Sequence, residues 1–230
     1  MTRQIVAMGG ASLRPEAYDP RLNAFVLSLA RRKRPRVCFV ATATGDSPEY
    51  VANFYRAFSG HHDCEPSDLG LFNRTVADLR AFVLAQDVVY VGGGNTVSLL
   101  AVWRAHGLDG VLREAWEEGV VLCGVSAGMN CWFEASTTDS FDLSRLAGLR
   151  DGLGFLPGSA CPHYDGEEQR RPLYRRLVGE EGFPPGFAVD DAAALVFEGT
   201  SLREVVATAS GSTAYRVDAG GEEALAARLL

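Results

Sequence analysis

The chain has 230 residues, is 47% hydrophobic and carries a formal net charge of −7. That length buries a real core and fits one large domain better than two small ones. The acidic balance offers neither phosphate attraction nor a basic face, which argues against nucleic acid or an anionic membrane as partner.

The start, "MTRQIVAMGGASL", lacks the charged, apolar and cleavage regions of a leader, and "QIVAMGG" reads as a strand entering a glycine turn. "DPRLNAFVLSLARR" follows as a helix with Leu22, Phe25, Val26 and Leu29 on one face. The basic run at 31–36 is read as its solvated end. "RVCFVATAT" is a buried strand, "SPEYVANFYRAF" a helix, and "DLGLF" a weaker strand signal. "RTVADLRAFVLA" is helical, and "DVVYVGGGN" is an apolar strand running into three glycines. "TVSLLAVWRAHGLDGVLREAWEEG" is one broken helix or two, and "VVLCGVS" is the next strand. From about residue 185 the texture changes to strands and turns: "FAVDDAAALVFEG", "LREVVATAS" and "STAYRVDAGG".

Fully apolar strands separated by amphipathic helices predict an α/β fold, a doubly wound and mostly parallel sheet covered on both faces. A β-rich C-terminal extension completes it. Without a repeat or a Pro/Gly/Ser linker, residues 1–230 are expected to form a single domain. Cys38, Cys64, Cys123, Cys131 and Cys161 show no C-x-x-C spacing and partly lie in apolar runs, where a free thiol behaves as a small hydrophobe. That pattern suits a reducing compartment. No apolar stretch nears the roughly 18 residues a membrane span needs, so the expected location is the cytoplasm.

In parallel α/β sheets ligands bind at the C-terminal ends of strands. Three such ends stand out: "VGGGN" at 91–95, "GVSAG" at 124–128 and "ACPHYDG" at 160–166. The second is G-x-S-x-G in a strand-turn-helix setting. There Ser126 would stand proud of the sheet, with the N–H of Ala127 facing the same space. The plainer alternative is a tight turn with a capping serine. "GGGNT" suggests backbone N–H groups offered to a carbonyl oxygen or a carboxylate, or an ordinary turn capped by Asn95 or Thr96. Neither a dinucleotide fingerprint nor a phosphate-loop lysine is completed, so no nucleotide cofactor is expected.

A serine nucleophile needs a base. His61 and His62 lie in a polar stretch and His106 in a helix break, whereas His163 lies at an expected strand end downstream of Ser126. The pair points to acyl transfer, with His163 as general base and then acid. His163 follows Ser126 too closely, with too much chain beyond it, for the usual α/β-hydrolase layout.

With "GGGNTVSLL", "GVSAGM", "STTDSF" and "PHYD" in that order, the chain resembles the peptidase E family, the aspartyl dipeptidases and their cyanophycinase relatives. The resemblance runs from the first strand to about residue 200. It implies a flavodoxin-like fold related to class I glutamine amidotransferases, with serine at the elbow instead of cysteine. It further implies that Ser126 is the nucleophile and His163 the base. Backbone N–H groups near Gly93 and Gly94, with that of Ala127, would form the oxyanion hole. No metal or organic cofactor is implied, and dimers occur in the family. The orienting acid is Asp191, Asp190 or Asp139; Asp191 is favoured because relatives carry Glu at its place. Asn95, Asp139, Arg170 and Arg171 are candidates for contacting substrate, the arginines through a carboxylate. The loop after His163 is shorter than in aspartyl dipeptidases.

The expected function is a cytoplasmic serine exopeptidase for short peptides, with an N-terminal aspartate preference in view. The rivals are an isoaspartyl, cyanophycin-type or small-amide hydrolase, and a non-catalytic flavodoxin-like binding module.

Overall fold

A computed structural model of the chain describes residues 2–142 and 145–230. In chain order its elements are β1 (Gln4–Met8), α1 (Pro20–Ser28), β2 (Arg36–Val40), α2 (Pro48–His61), β3 (Glu65–Asp68), α3 (Leu79–Leu84) and β4 (Val88–Val91). There follow α4 (Thr96–His106), α5 (Leu108–Glu117), β5 (Val121–Val125), α6 (Ala127–Asn130), β6 (Phe133–Thr138), β7 (Ala147–Leu149), β8 (Leu156–Cys161) and α7 (Arg170–Glu180). The last are β9 (Gly186–Val189), β10 (Ala193–Glu198), β11 (Ser201–Ala207), β12 (Ala214–Asp218), β13 (Gly221–Leu225) and β14 (Ala227–Leu229).

The strands form two sheets. The larger has the order β14-β11-β10-β1-β5-β4-β2-β3, and β1, β5, β4, β2 and β3 run parallel. β10 joins β1 antiparallel and begins the extension. Because side chains alternate along a strand, β1 sends Val6 and Met8 to one face, where Leu22 and Val26 of α1 and Phe54 and Phe58 of α2 cover them. Ile5 and Ala7 point the other way, into a core that includes Leu99, Trp103, Leu112 and Trp116 of α4 and α5. Buried on both faces, these strands read as unbroken apolar runs. Each fully buried large apolar side chain contributes roughly 1.5–3 kcal/mol.

The second sheet, in the order β13-β12-β9-β8-β6-β7, was not foreseen from the sequence. It packs on the α4–α5 side of the first through Phe133, Leu156 and Ala160, which share that core. "FAVDDAAALVFEG" is accordingly two strands, β9 and β10, in different sheets. Residues 190–192 make the crossing, with Ala192 at a φ of 60°.

Three other readings are corrected or resolved. The segment after β4 is two helices, because Gly107 takes a φ of 69° and ends α4. The third helix starts only at Leu79, where the Asp78 side chain accepts the Ala81 N–H and caps it. The weak strand lies one step earlier than "DLGLF", at β3. The Asp46 carboxylate takes the Leu71 and Phe72 N–H groups and draws that stretch into a loop. Among the described residues, no helix is long and apolar enough to cross a membrane.

Candidate active site

Ser126 follows β5 directly and has φ 57° and ψ −111°. An L-residue held there costs on the order of 1–3 kcal/mol and persists only where its surroundings enforce it. The enforcement is visible. The Ser126 N–H donates to the Met8 carbonyl (3.1 Å), and its own carbonyl accepts from Met129 and Asn130, both at 2.9 Å. A Cβ on Gly124 would sit 2.2 Å from the Gly128 oxygen, and one on Gly128 would sit 2.4 Å from the Val91 oxygen. The two glycines of G-x-S-x-G are therefore there for backbone approach, which any side chain would block. The serine makes no capping bond, so the capping alternative does not describe it. Ala127 opens α6, and its N–H has no backbone acceptor among the described residues.

His163 lies beyond β8 with a φ of 52°. Its Nδ1 is 2.7 Å from Asp191 Oδ1, in the crossing between β9 and β10. The crossing is sewn down on both sides. The Asp191 N–H donates to Asp165 Oδ1 (2.8 Å), the Tyr164 N–H to the Val189 carbonyl (3.1 Å), and the Ala192 N–H to the Gly10 carbonyl (2.8 Å). The hydrogen bond to His163 holds the Asp191 carboxyl below its ordinary range, against the opposing effect of burial. Both loops and the serine elbow thus converge where β1 ends at Met8–Gly10. Among the described residues, no direct hydrogen bond joins Ser126 Oγ to His163, and none joins His163 to Asp139 or Asp190.

Gly10 is the floor of this meeting point. A Cβ there would fall 1.8 Å from Asp191 Oδ1 and 2.8 Å from His163 Nδ1. Gly10→Ala is therefore expected to separate the histidine from its carboxylate. Any acyl transfer that uses this pair should fall by about 10²-fold or more, while thermal unfolding remains cooperative. Turnover within about threefold of the parent would show that the pair is not needed.

The remaining candidates fall in different places. Asp190 is 3% exposed, and its Oδ2 accepts the Thr213 N–H (3.0 Å), so it faces another loop; burial raises its pKa. Asn95 caps α4, its Oδ1 accepting the Ser98 N–H (2.8 Å), and its Nδ2 donates to the Ser140 carbonyl (2.9 Å). That bond draws the turn carrying Asp139 over the glycine loop. Arg170 is 4% exposed, with Nε donating to Glu167 Oε2 at 2.7 Å. Arg171 pairs with Glu222 at 2.9 Å and stacks over Tyr164 and Tyr215. Both open α7 and tie it to its neighbours, Arg170 from a buried position and Arg171 through a part-exposed ion pair.

The glycine loop borders the serine. A Cβ on Gly93 would lie 3.3 Å from Ser126 Cβ and 3.8 Å from its Oγ. Its N–H, expected to face an oxyanion, instead donates to Tyr50 Oη at 3.2 Å. Gly94 is exposed, and its N–H has no backbone acceptor among the described residues. Beside the loop opens a cleft of about 390 Å³ whose lining includes Arg14, Ser47, Glu49, Tyr50, Asn53 and Gly94. Tyr50 carries no signal in the sequence, since it reads as one residue of an amphipathic helix. Gly10 could have been suspected from "MGG" at a strand end. All five cysteines are free and buried, and burial raises the Cys64 thiol to about 11 and that of Cys161 to about 12, which leaves both poor nucleophiles. Among the described residues, no group of three or more His, Cys, Asp or Glu side chains is gathered to hold a metal ion.

Comparison with known proteins extends this geometry. The model of peptidase family S51 matches residues 5–205. The chain is 49% identical over 215 residues to the uncharacterized peptidase YgaJ of Bacillus subtilis (strain 168), covering 94% of this chain and 92% of that protein. It is 30% identical over 128 residues to peptidase E of Shewanella denitrificans, covering 52% of this chain and 54% of that one. Among solved structures, a peptidase from an acI-B1 actinobacterium is similar with a TM-score of 0.73 at 18% identity, over 99% of this chain and 95% of that one. A structure described as a peptidase E protein from Listeria monocytogenes EGD-e gives a TM-score of 0.66 at 16% identity, over 88% and 98%. At such identities the structures speak for the fold, which is the flavodoxin-like α/β arrangement expected.

Proposed function

Since the chain belongs to peptidase family S51 and is a serine peptidase, we propose that it is an exopeptidase of short peptides working through Ser126, His163 and Asp191. The observation that carries this reading is the 2.7 Å contact between His163 Nδ1 and Asp191 Oδ1, made beside Gly10 just beyond β1, the strand whose Met8 carbonyl holds the N–H of the strained serine. With Nδ1–H held by a carboxylate, Nε2 is left as the acceptor that a serine hydroxyl needs.

Ser126 Oγ attacks the scissile carbonyl carbon as its proton passes to His163. The N–H groups of Gly94 and Ala127 donate to the oxygen on which charge builds. His163 then gives its proton to the leaving amine, and an acyl-enzyme remains. Water, activated by the same histidine, releases the acid and restores the serine. The serine–histidine hydrogen bond forms as substrate closes the gap, as is common when free sites fill.

A cleft of about 390 Å³ suits a few residues of peptide and excludes a folded chain. With Arg170 and Arg171 engaged elsewhere, Arg14 is the cation in the cleft, and no carboxylate pairs with it among the described residues. It supports a preference for an acidic N-terminal residue. The buried free thiols suit a cytoplasmic enzyme. Di- and tripeptides, Asp-X among them, are expected to be hydrolysed, whereas a casein-like unfolded chain is not. Internal cleavage of casein as fast as dipeptide hydrolysis would overturn the exopeptidase assignment. Release of aspartate from isoaspartyl dipeptides alone would shift it to the isoaspartyl class.

A further inference from the structure

Tyr50 stands beside the glycine loop and has no part in the proposed transfers between Ser126, His163 and Asp191. Three contacts fix it. Its ring meets Phe39 edge-on, with centroids 5.0 Å apart and planes at 88°. It occupies the space a side chain at Gly92 would need, since a Cβ there would lie 2.7 Å from Tyr50 Cε1. Its hydroxyl oxygen accepts the Gly93 N–H at 3.2 Å. Gly93 in turn borders Ser126, and both Tyr50 and Gly93 line the cleft.

A phenol has one proton to donate and lone pairs to accept with. The Gly93 N–H occupies a lone pair, while among the described residues no acceptor takes the proton. Accepting one hydrogen bond makes a hydroxyl a better donor, because the two bonds polarise one another. Burial raises the Tyr50 pKa, so the group keeps its proton through the neutral range.

We infer that the Tyr50 hydroxyl is a donor of the oxyanion hole, a further catalytic residue that takes the place expected for the Gly93 N–H. The inference rests on Ser126 being the nucleophile. As the Oγ–C bond forms, the π electron pair of the carbonyl moves onto its oxygen and the serine proton goes to His163. Tyr50 keeps its own proton and contributes only a hydrogen bond to the new oxyanion. The Gly93 N–H acts behind it, orienting and polarising the phenol.

A fluorophosphonate probe tests this without a known substrate. Ser126 Oγ attacks phosphorus, fluoride leaves, and the phosphoryl oxygen enters the same hole. Labelling rates of the parent, Tyr50→Phe and Ser126→Ala are followed by intact mass. The parent is expected to label and Ser126→Ala not to. Tyr50→Phe should label at least about tenfold more slowly than the parent, with an unchanged melting temperature because the ring packing is kept. Tyr50→Leu, which lacks the hydroxyl and demands less space beside Gly92, should be slowed to a similar degree. Labelling of either folded variant within about twofold of the parent, or faster, would overturn the inference and return the role to a freed Gly93 N–H. A parent that does not label would instead overturn the reading of Ser126.

Discussion

Ser126→Ala is expected to fold like the parent and to lose peptide hydrolysis by about 10³-fold or more. The side chain makes no cap bond, so removing its oxygen costs the elbow no structural contact. What disappears under the proposed mechanism is the attacking atom, which would leave only substrate positioning and the proposed oxyanion donors. Ser126→Gly separates structure from chemistry. It should be equally inactive yet melt higher than Ser126→Ala, because glycine accepts φ 57° and ψ −111° without the penalty that a Cβ brings. A higher melting point in a dead variant is the signature of backbone strain kept for the sake of a reactive group. Peptidase activity of Ser126→Ala within about tenfold of the parent would refute the assignment of the nucleophile.

The parallel core was legible because its strands are buried on both faces, so "VCFV", "VVYV" and "VLCGV" read as unbroken apolar runs. The serine elbow was legible for a local reason: its glycines are demanded by backbone contacts within a few residues and with the neighbouring strand. The second sheet was not, since β6 carries the polar run "STT" in buried positions, where burial depends on partners distant in sequence. Asn130, for example, donates to the Thr137 carbonyl at 3.0 Å. The residues alone narrow the orienting carboxylate to three aspartates, and it was the family resemblance that favoured Asp191 among them. Asp190 and Asp191 are neighbours that point into different loops, and only the crossing between sheets decides which of them meets His163. Arg170 and Arg171 stayed open to two readings, substrate contact or solvated helix face, for a related reason. A guanidinium near a site looks free until Glu167 and Glu222 are brought beside it.

Asp191→Asn is expected to lower turnover by about 10²- to 10⁴-fold while changing KM little. A carboxylate at 2.7 Å from Nδ1 accepts the Nδ1–H hydrogen bond and would stabilise the imidazolium formed during attack. An amide can instead turn its NH₂ toward the ring and select the tautomer that presents Nε2–H to the serine. Asp190→Asn and Asp139→Asn should each do far less, because Asp190 answers the Thr213 N–H and Asp139 lies in the turn over the glycine loop. The pH dependence of stability provides a second reading. The Asp191 carboxyl is lowered, chiefly by its hydrogen bond to His163. A group whose folded pKa is depressed stabilises the fold above its unfolded value of about 4 and loses that contribution as pH falls through the folded value. The parent should therefore melt above Asp191→Asn at pH values above about 4, and the margin should close as the pH falls below that. If Asp139→Asn proved the more damaging substitution, with Asp191→Asn within about threefold of the parent, the carboxylate that orients His163 during turnover would not be the one it touches in the free enzyme.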